Sequence, residues 1–148
     1  MVDCGHLERN ASGLERLRGL GSRLLSGEPA PELAGGWTGA AVFAHLAFWD
    51  RLVLARWDRL DREGVIADLP DTAMDLINVA GLPLWTALGA GAAVVQAVEA
   101  ATLVCERIAS LSPAAVEAAL SAGRLAMLDR TRHWAPHLDE LAGALDRT

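Results

Sequence analysis

The chain has 148 residues, 52% of them hydrophobic, and its 19 acids against 13 basic residues give a net charge of −6. That length makes one domain, spanning 1–148, with room for a buried core, and an alanine- and leucine-rich composition poor in β-branched runs selects an all-α class. The acidic balance, with no basic cluster interleaved with aromatics, excludes nucleic acid as a natural partner.

Residues 7–25 form the first predicted helix, because leucines at 14, 17, 20, 24 and 25 recur at helical spacing. Gly13, Gly19 and Gly21 weaken it, and Ser26 and Gly27 end it. Glu28-Pro29-Ala30-Pro31-Glu32, followed by Gly35-Gly36, reads as an irregular connection. Thr38 suits the N-cap of a second helix over 39–62, stopped by Gly64. Its apolar stripe is centred on Val42, Leu46, Trp49, Val53 and Leu60, while Arg51, Asp58 and Arg62 lie opposite. Asp50 and Arg51 are expected on a solvated face. His45 falls at the edge of the stripe, close to Trp49 and Leu52.

Between 65 and 82, Asp68-Leu69-Pro70-Asp71 has turn chemistry, followed by one or two helical turns capped by Asp71 or Thr72. A third long helix is expected over 83–109, with Pro83 in its first position. The run 76–98 carries no charge and is long enough to span a bilayer. Asn78, Gly81, Pro83, Gly89, Gly91, Gln96 and many weakly hydrophobic alanines instead favour a buried bundle helix, so no membrane span is expected. Ser112-Pro113 supplies an N-cap and N1 proline for a short helix of one or two turns, and Gly123 separates it from a last helix over 128–145. There Trp134, Leu138, Leu141 and Leu145 form the stripe, with His133 and His137 along its margin. Pro136 removes a backbone donor, so either this helix begins only a turn earlier, near Arg132, or it is kinked.

His133 and His137 are four residues apart and share a helix face, and His45 on a neighbouring helix can complete a three-imidazole group. Three protein ligands leave one position open, as catalytic metal sites do. Each histidine alone is more simply an ordinary core or surface group, and His6 stays with that reading. Arg130, three residues before His133, and Glu140, three after His137, can approach the pair from its ends, with Glu140 a candidate general base. Asn78 can reach the site from the connecting helix. Trp49 and Trp134 would form apolar walls, with ordinary core packing favoured over a dedicated substrate-stacking role. Cys4 and Cys105 make no disulfide framework, and the N-terminal run lacks a basic segment followed by an apolar one. A cytoplasmic location is the expectation.

Two segments carry a family likeness. Gly36-Trp37-Thr38-Gly39, leading to His45-Leu46-Ala47-Phe48-Trp49, resembles the opening of the second helix in the DinB-like (DinB/YfiT) four-helix-bundle proteins. These include the DfsB-type branch and the N-terminal domain of mycothiol-dependent maleylpyruvate isomerase. Arg132-His133-Trp134-Ala135-Pro136-His137-Leu138 is similar to the His-aromatic-x-x-His-Leu pattern of their last helix. The resemblance covers most of the chain and implies a four-helix bundle with one or two short connecting helices. It also implies a divalent transition metal, zinc or nickel, with the helix-two ligand falling on His45 and the helix-four ligands on His133 and His137. A small-molecule substrate, a low-molecular-weight thiol cosubstrate such as mycothiol, and a homodimer follow from the same likeness. Pro136 departs from the family pattern, and no further domain of the isomerase kind is seen, so isomerase activity is not carried over.

Three functions compete at this point. One is a metal-dependent thiol S-transferase, and another is a metal-independent hydrolase or cyclase acting on a reactive natural product, in which the histidines serve as general acid and base. Having no tyrosine, the chain excludes a tyrosine-based version of the second. The last is a non-enzymatic small-ligand binding or stress-response module.

Overall fold

The computed structural model describes residues 5–27 and 31–147, so Cys4 and the Glu28-Pro29-Ala30 part of the first connection lie outside the described residues. Within them the fold is all-α, with six α-helices, two short 3-10 turns and no β-strand beyond an isolated bridge between Glu32 and Thr38. The helices are α1 (Gly5–Leu25), α2 (Gly39–Glu63), α3 (Asp71–Ala87), α4 (Ala90–Ala109), α5 (Pro113–Ser121) and α6 (Thr131–Asp146).

In α1, His6, Asn10, Leu14, Leu17, Gly21 and Leu24 share one buried face at helical spacing. Two of its glycines have a packing role rather than a purely weakening one. A Cβ on Gly21 would stand 2.7 Å from Val94 of α4, and one on Gly13 would meet Thr131 at 2.9 Å and Trp134 at 3.0 Å, both in α6. Gly19 has no such neighbour.

The second helix starts and stops as its sequence predicts. Thr38 accepts a hydrogen bond from the Ala41 backbone N–H at 3.1 Å, and Gly64, in the left-handed region at φ 73°, donates to the Leu60 carbonyl at 2.8 Å. This is the central helix: it packs on α3, α4 and α6, while α1 packs on α4 and α6. Val42, Leu46 and Val53 are buried as expected, together with Phe43 and Trp57, whereas Trp49 and Leu60 are half-buried.

The charge-free run is not one helix. It is divided at Leu88 and Gly89 into α3 and α4, and Pro83 lies inside α3 instead of opening a third long helix. The helix continues through Pro83, and the Val79 carbonyl that loses its donor belongs to a residue 73% exposed, within reach of water. α3 is capped by neither Asp71 nor Thr72; Pro70 is its N-cap residue, and its carbonyl accepts from Ala73 and Met74. Nor is α3 a buried helix, since only Trp85 is buried and Leu76, Val79 and Leu84 are each more than 70% exposed. No helix among the described residues is long and apolar enough to cross a membrane.

The α5 expectation holds in its chemistry, with Ser112 accepting from the Ala115 N–H at 3.1 Å and Pro113 at N1. α6 begins at Thr131 rather than at 128, because Asp129 turns its carboxylate onto the Thr131 N–H at 3.2 Å and starts the helix there. That is the earlier of the two arrangements Pro136 allows: the proline falls in the second turn.

Candidate metal centre

Three ring nitrogens from two helices converge. His45 Nε2 on α2 lies 3.0 Å from His133 Nε2 and 3.2 Å from His137 Nε2 on α6, and one ligating nitrogen from each ring falls within 4.8 Å of the others. Two imidazole nitrogens bound tetrahedrally to an ion such as zinc stand roughly 3.3 Å apart, so the spacing fits a shared ion. A buried three-histidine group able to hold a metal ion is therefore part of this fold.

The rings are kept neutral. Burial, with the neighbouring His137, lowers His45 to about 3. Burial and the adjacent Arg130 guanidinium, with both other rings, bring His133 to about 2. Burial also lowers His137, against the opposing pull of Glu140. Neutral imidazole is the form that ligates a metal or accepts a proton.

Two residues that sequence reasoning placed otherwise organise this group. Asp50 does not lie on a solvated face but is fully buried, because it shares the spacing of Leu46, Val53 and Trp57 on the inner side of α2. It accepts from Arg130 Nε at 2.8 Å and from the Trp134 indole at 3.0 and 3.1 Å. Burial pushes the Asp50 carboxyl upward, and the guanidinium and indole donors pull it back. Arg130, only 3% exposed, also donates through Nη1 to the Ala126 carbonyl at 2.7 Å and meets His133 Nδ1 through Nη2 at 3.2 Å. A guanidinium only donates, so in the metal-free site His133 Nδ1 accepts and the neutral ring carries its proton on Nε2; ligation through Nε2 would require that proton to move to Nδ1 and the Arg130 contact to give way. The Asp50–Arg130–His133 line thus ties the core to the site.

Asn10 completes the support from α1. Its side chain donates to the Leu128 carbonyl and accepts from the Arg130 N–H, each at 2.8 Å, fixing the segment that enters α6. His45, 2% exposed, has no partner at Nδ1 among the described residues and is instead held among aromatic rings. Trp37 and Trp85 stand edge-on to it, with centroids at 5.1 and 5.0 Å. Neither tryptophan shows a periodic signal toward the site, since Trp37 precedes α2 and Trp85 lies in a helix whose limits the sequence obscures.

All three histidines open on one cavity of about 570 Å³, within the usual range of small-molecule sites. Trp49 and Asn78 line it, and the Trp49 indole donates to Asn78 Oδ1 at 3.0 Å, joining α2 to α3. Arg130 lines it as well. Trp134 does not; it is wholly buried in the core behind the histidines. Glu140 is exposed on α6 and is absent from the cavity wall. Cys105 is half-buried, and burial with the nearby Asp50 carboxylate raises its thiol to about 11, so it is no nucleophile at neutral pH. No family model matches the chain, and no curated protein or solved structure matches it.

Proposed function

We propose that the protein is a metal-dependent enzyme of the DinB-like four-helix-bundle class. His45, His133 and His137 would hold a divalent transition metal, zinc or nickel, and the adjoining cavity would receive a small molecule together with a low-molecular-weight thiol. The observation that carries this reading is the convergence of three imidazoles, His45 lying 88 and 92 residues from the other two in sequence, at the wall of a cavity. When bound, such an ion supplies Lewis acidity and makes a water or thiol nucleophilic near neutral pH.

The chain's own residues supply the rest. Asp50 anchors Arg130 beside His133, Trp37 and Trp85 fix the plane of His45, and Asn78 holds Trp49 against the cavity. Trp37, Trp49 and Leu52 give the cavity an apolar wall beside the histidines. Cys105 does not line the cavity, so a thiol reactant would come from outside the described residues. Metal analysis of the tag-free purified protein tests the reading. The expected result is about one transition metal per chain, lost in His45→Ala and His133→Ala variants that still fold; a metal-free protein that also fails to bind added zinc or nickel would overturn it.

One contact favours a second reading, a metal-independent hydrolase or cyclase. Arg130 leaves His133 Nε2 carrying a proton, as a neutral donor facing the cavity would. Activity that persists after chelation and disappears in His133→Ala would select this reading. The class also carries the expectation of a homodimer, which sedimentation at micromolar concentration tests.

A further inference from the structure

The cavity wall carries charge of one sign. Arg56 from α2, Arg124 from the turn after α5, and Arg130 and Arg132 at the start of α6 line it, and no aspartate or glutamate among the described residues does. These are four of the 13 basic residues in a chain whose net charge is −6. Elsewhere Arg9, Arg16, Arg18, Arg51, Arg59 and Arg107 each meet a carboxylate.

The cavity arginines are answered differently. Arg130 is neutralised from behind by Asp50. Arg124 pairs with Asp68, but that side chain is 71% exposed, so water and salt screen it. Arg56 spends its Nε on a neutral acceptor, the Ala67 carbonyl at 3.0 Å, and its Nη groups have no partner among the described residues. Arg132 has none either. Arg56 is also half-buried, and burial, with the charges of Arg124 and Arg130, lowers its pKa. A guanidinium in that position is under-compensated until an anion reaches it. Between these arginines and the tryptophans the wall is apolar, with Leu52, Val53, Leu69, Met74 and Met127.

We propose that the cavity binds a small organic oxyanion, a carboxylate or a phosphate ester with an apolar body, whose charged group is held by Arg56 and Arg124. Its other end then faces the three histidines. The assignment rests on the reading of this cavity as the substrate site, but not on the presence of a metal. A planar guanidinium fork matches either oxyanion, so the shared chemistry is bidentate oxygen recognition.

Trp37 and Trp49 line the cavity and make intrinsic fluorescence a direct readout. Octanoate, octyl phosphate and octanol share an apolar chain and differ in the head group. Titrated into the full-length protein with EDTA present, one or both anions are expected to bind about tenfold or more tightly than octanol, the scale of one charge-assisted hydrogen bond. The tighter anion identifies the head group. Arg56→Met, which keeps most of the aliphatic stem, should abolish the preference while leaving octanol affinity unchanged, with only a small fall in melting temperature from the lost Ala67 hydrogen bond, and Arg56→Lys should retain part of the preference. Equal affinity for all three probes, or a preference intact in both Arg56→Met and the Arg56→Met/Arg124→Met double variant, would overturn the proposal. An anion preference seen only without EDTA would place the anion on a metal and overturn it too. Metal analysis separates the two readings: metal bound without anion preference removes only this proposal, and anion preference in a metal-free protein removes only the metal.

Discussion

Replacing Asp50 by asparagine isolates the electrostatics of the support behind the site. The substitution keeps the shape and leaves the Trp134 indole an acceptor, but it strands the Arg130 guanidinium, 3% exposed, without a counter-charge. Breaking a buried pair from one side costs about 3–5 kcal/mol, a large share of the roughly 5–15 kcal/mol that holds a domain folded. Urea unfolding followed by far-UV circular dichroism should show that loss as a lower midpoint at unchanged slope, with a fall of roughly 10 °C or more in melting temperature. Arg130→Met strands the carboxylate instead. Without the guanidinium the folded Asp50 pKa rises further above its unfolded value, so this variant's loss relative to the parent is greatest at neutral pH and shrinks as pH falls toward 4. Asp50→Asn carries no such titration. In Asp50→Leu/Arg130→Met both charges leave together, and the remaining cost is that of the groups left without partners, the Trp134 N–H first, at about 1–3 kcal/mol, with the Ala126 carbonyl and His133 Nδ1 adding to it. A loss below about 1 kcal/mol in Asp50→Asn, or double-variant losses that simply add, would refute the account of a buried pair.

Acid should destabilise the metal-free protein early. Because the folded pKa values of His45 and His133 lie near 3 and 2, the unfolded chain binds more protons below about pH 6.5, and stability falls as pH drops from there. By pH 5 the loss is up to about 2 kcal/mol for each ring; a flat melting temperature between pH 7 and 5 in chelator would contradict it. The α1 glycines should respond with opposite signs. Gly21→Ala, whose Cβ meets Val94 at 2.7 Å, should lose about 1–2 kcal/mol, whereas Gly19→Ala, with open space around it, should gain up to about 1 kcal/mol in the same denaturant assay. His137→Ala should weaken zinc or nickel binding at least as much as His45→Ala, as read by a metal-competition titration.

The histidine group was legible because it is written in helix periodicity: four residues place His133 and His137 on one face, and stripe edges aim them and His45 inward. Asp50 and Asn10 were hidden by their chemistry. Both occupy stripe positions, Asp50 with Leu46, Val53 and Trp57 and Asn10 with Leu14 and Leu17, but a polar residue is assigned to solvent until its partner is known. Those partners, Arg130 and Leu128, are 80 and 118 residues away. The division of α3 from α4 was obscured for another reason. Pro83 is the stronger local signal, yet the break falls at Leu88 and Gly89, and nothing local outranks proline.

The Asn10 clamp has a consequence for how the molecule comes into being. It joins positions 120 residues apart, and the histidines themselves span 88 and 92. Such contacts close only after the intervening chain is ordered, so they belong to the late, slow part of folding. On the ribosome α1 and α2 are made long before α6, and until Thr131–Asp146 has emerged His45 has neither imidazole partner. The three-imidazole group therefore exists only in the finished fold, never in a nascent chain.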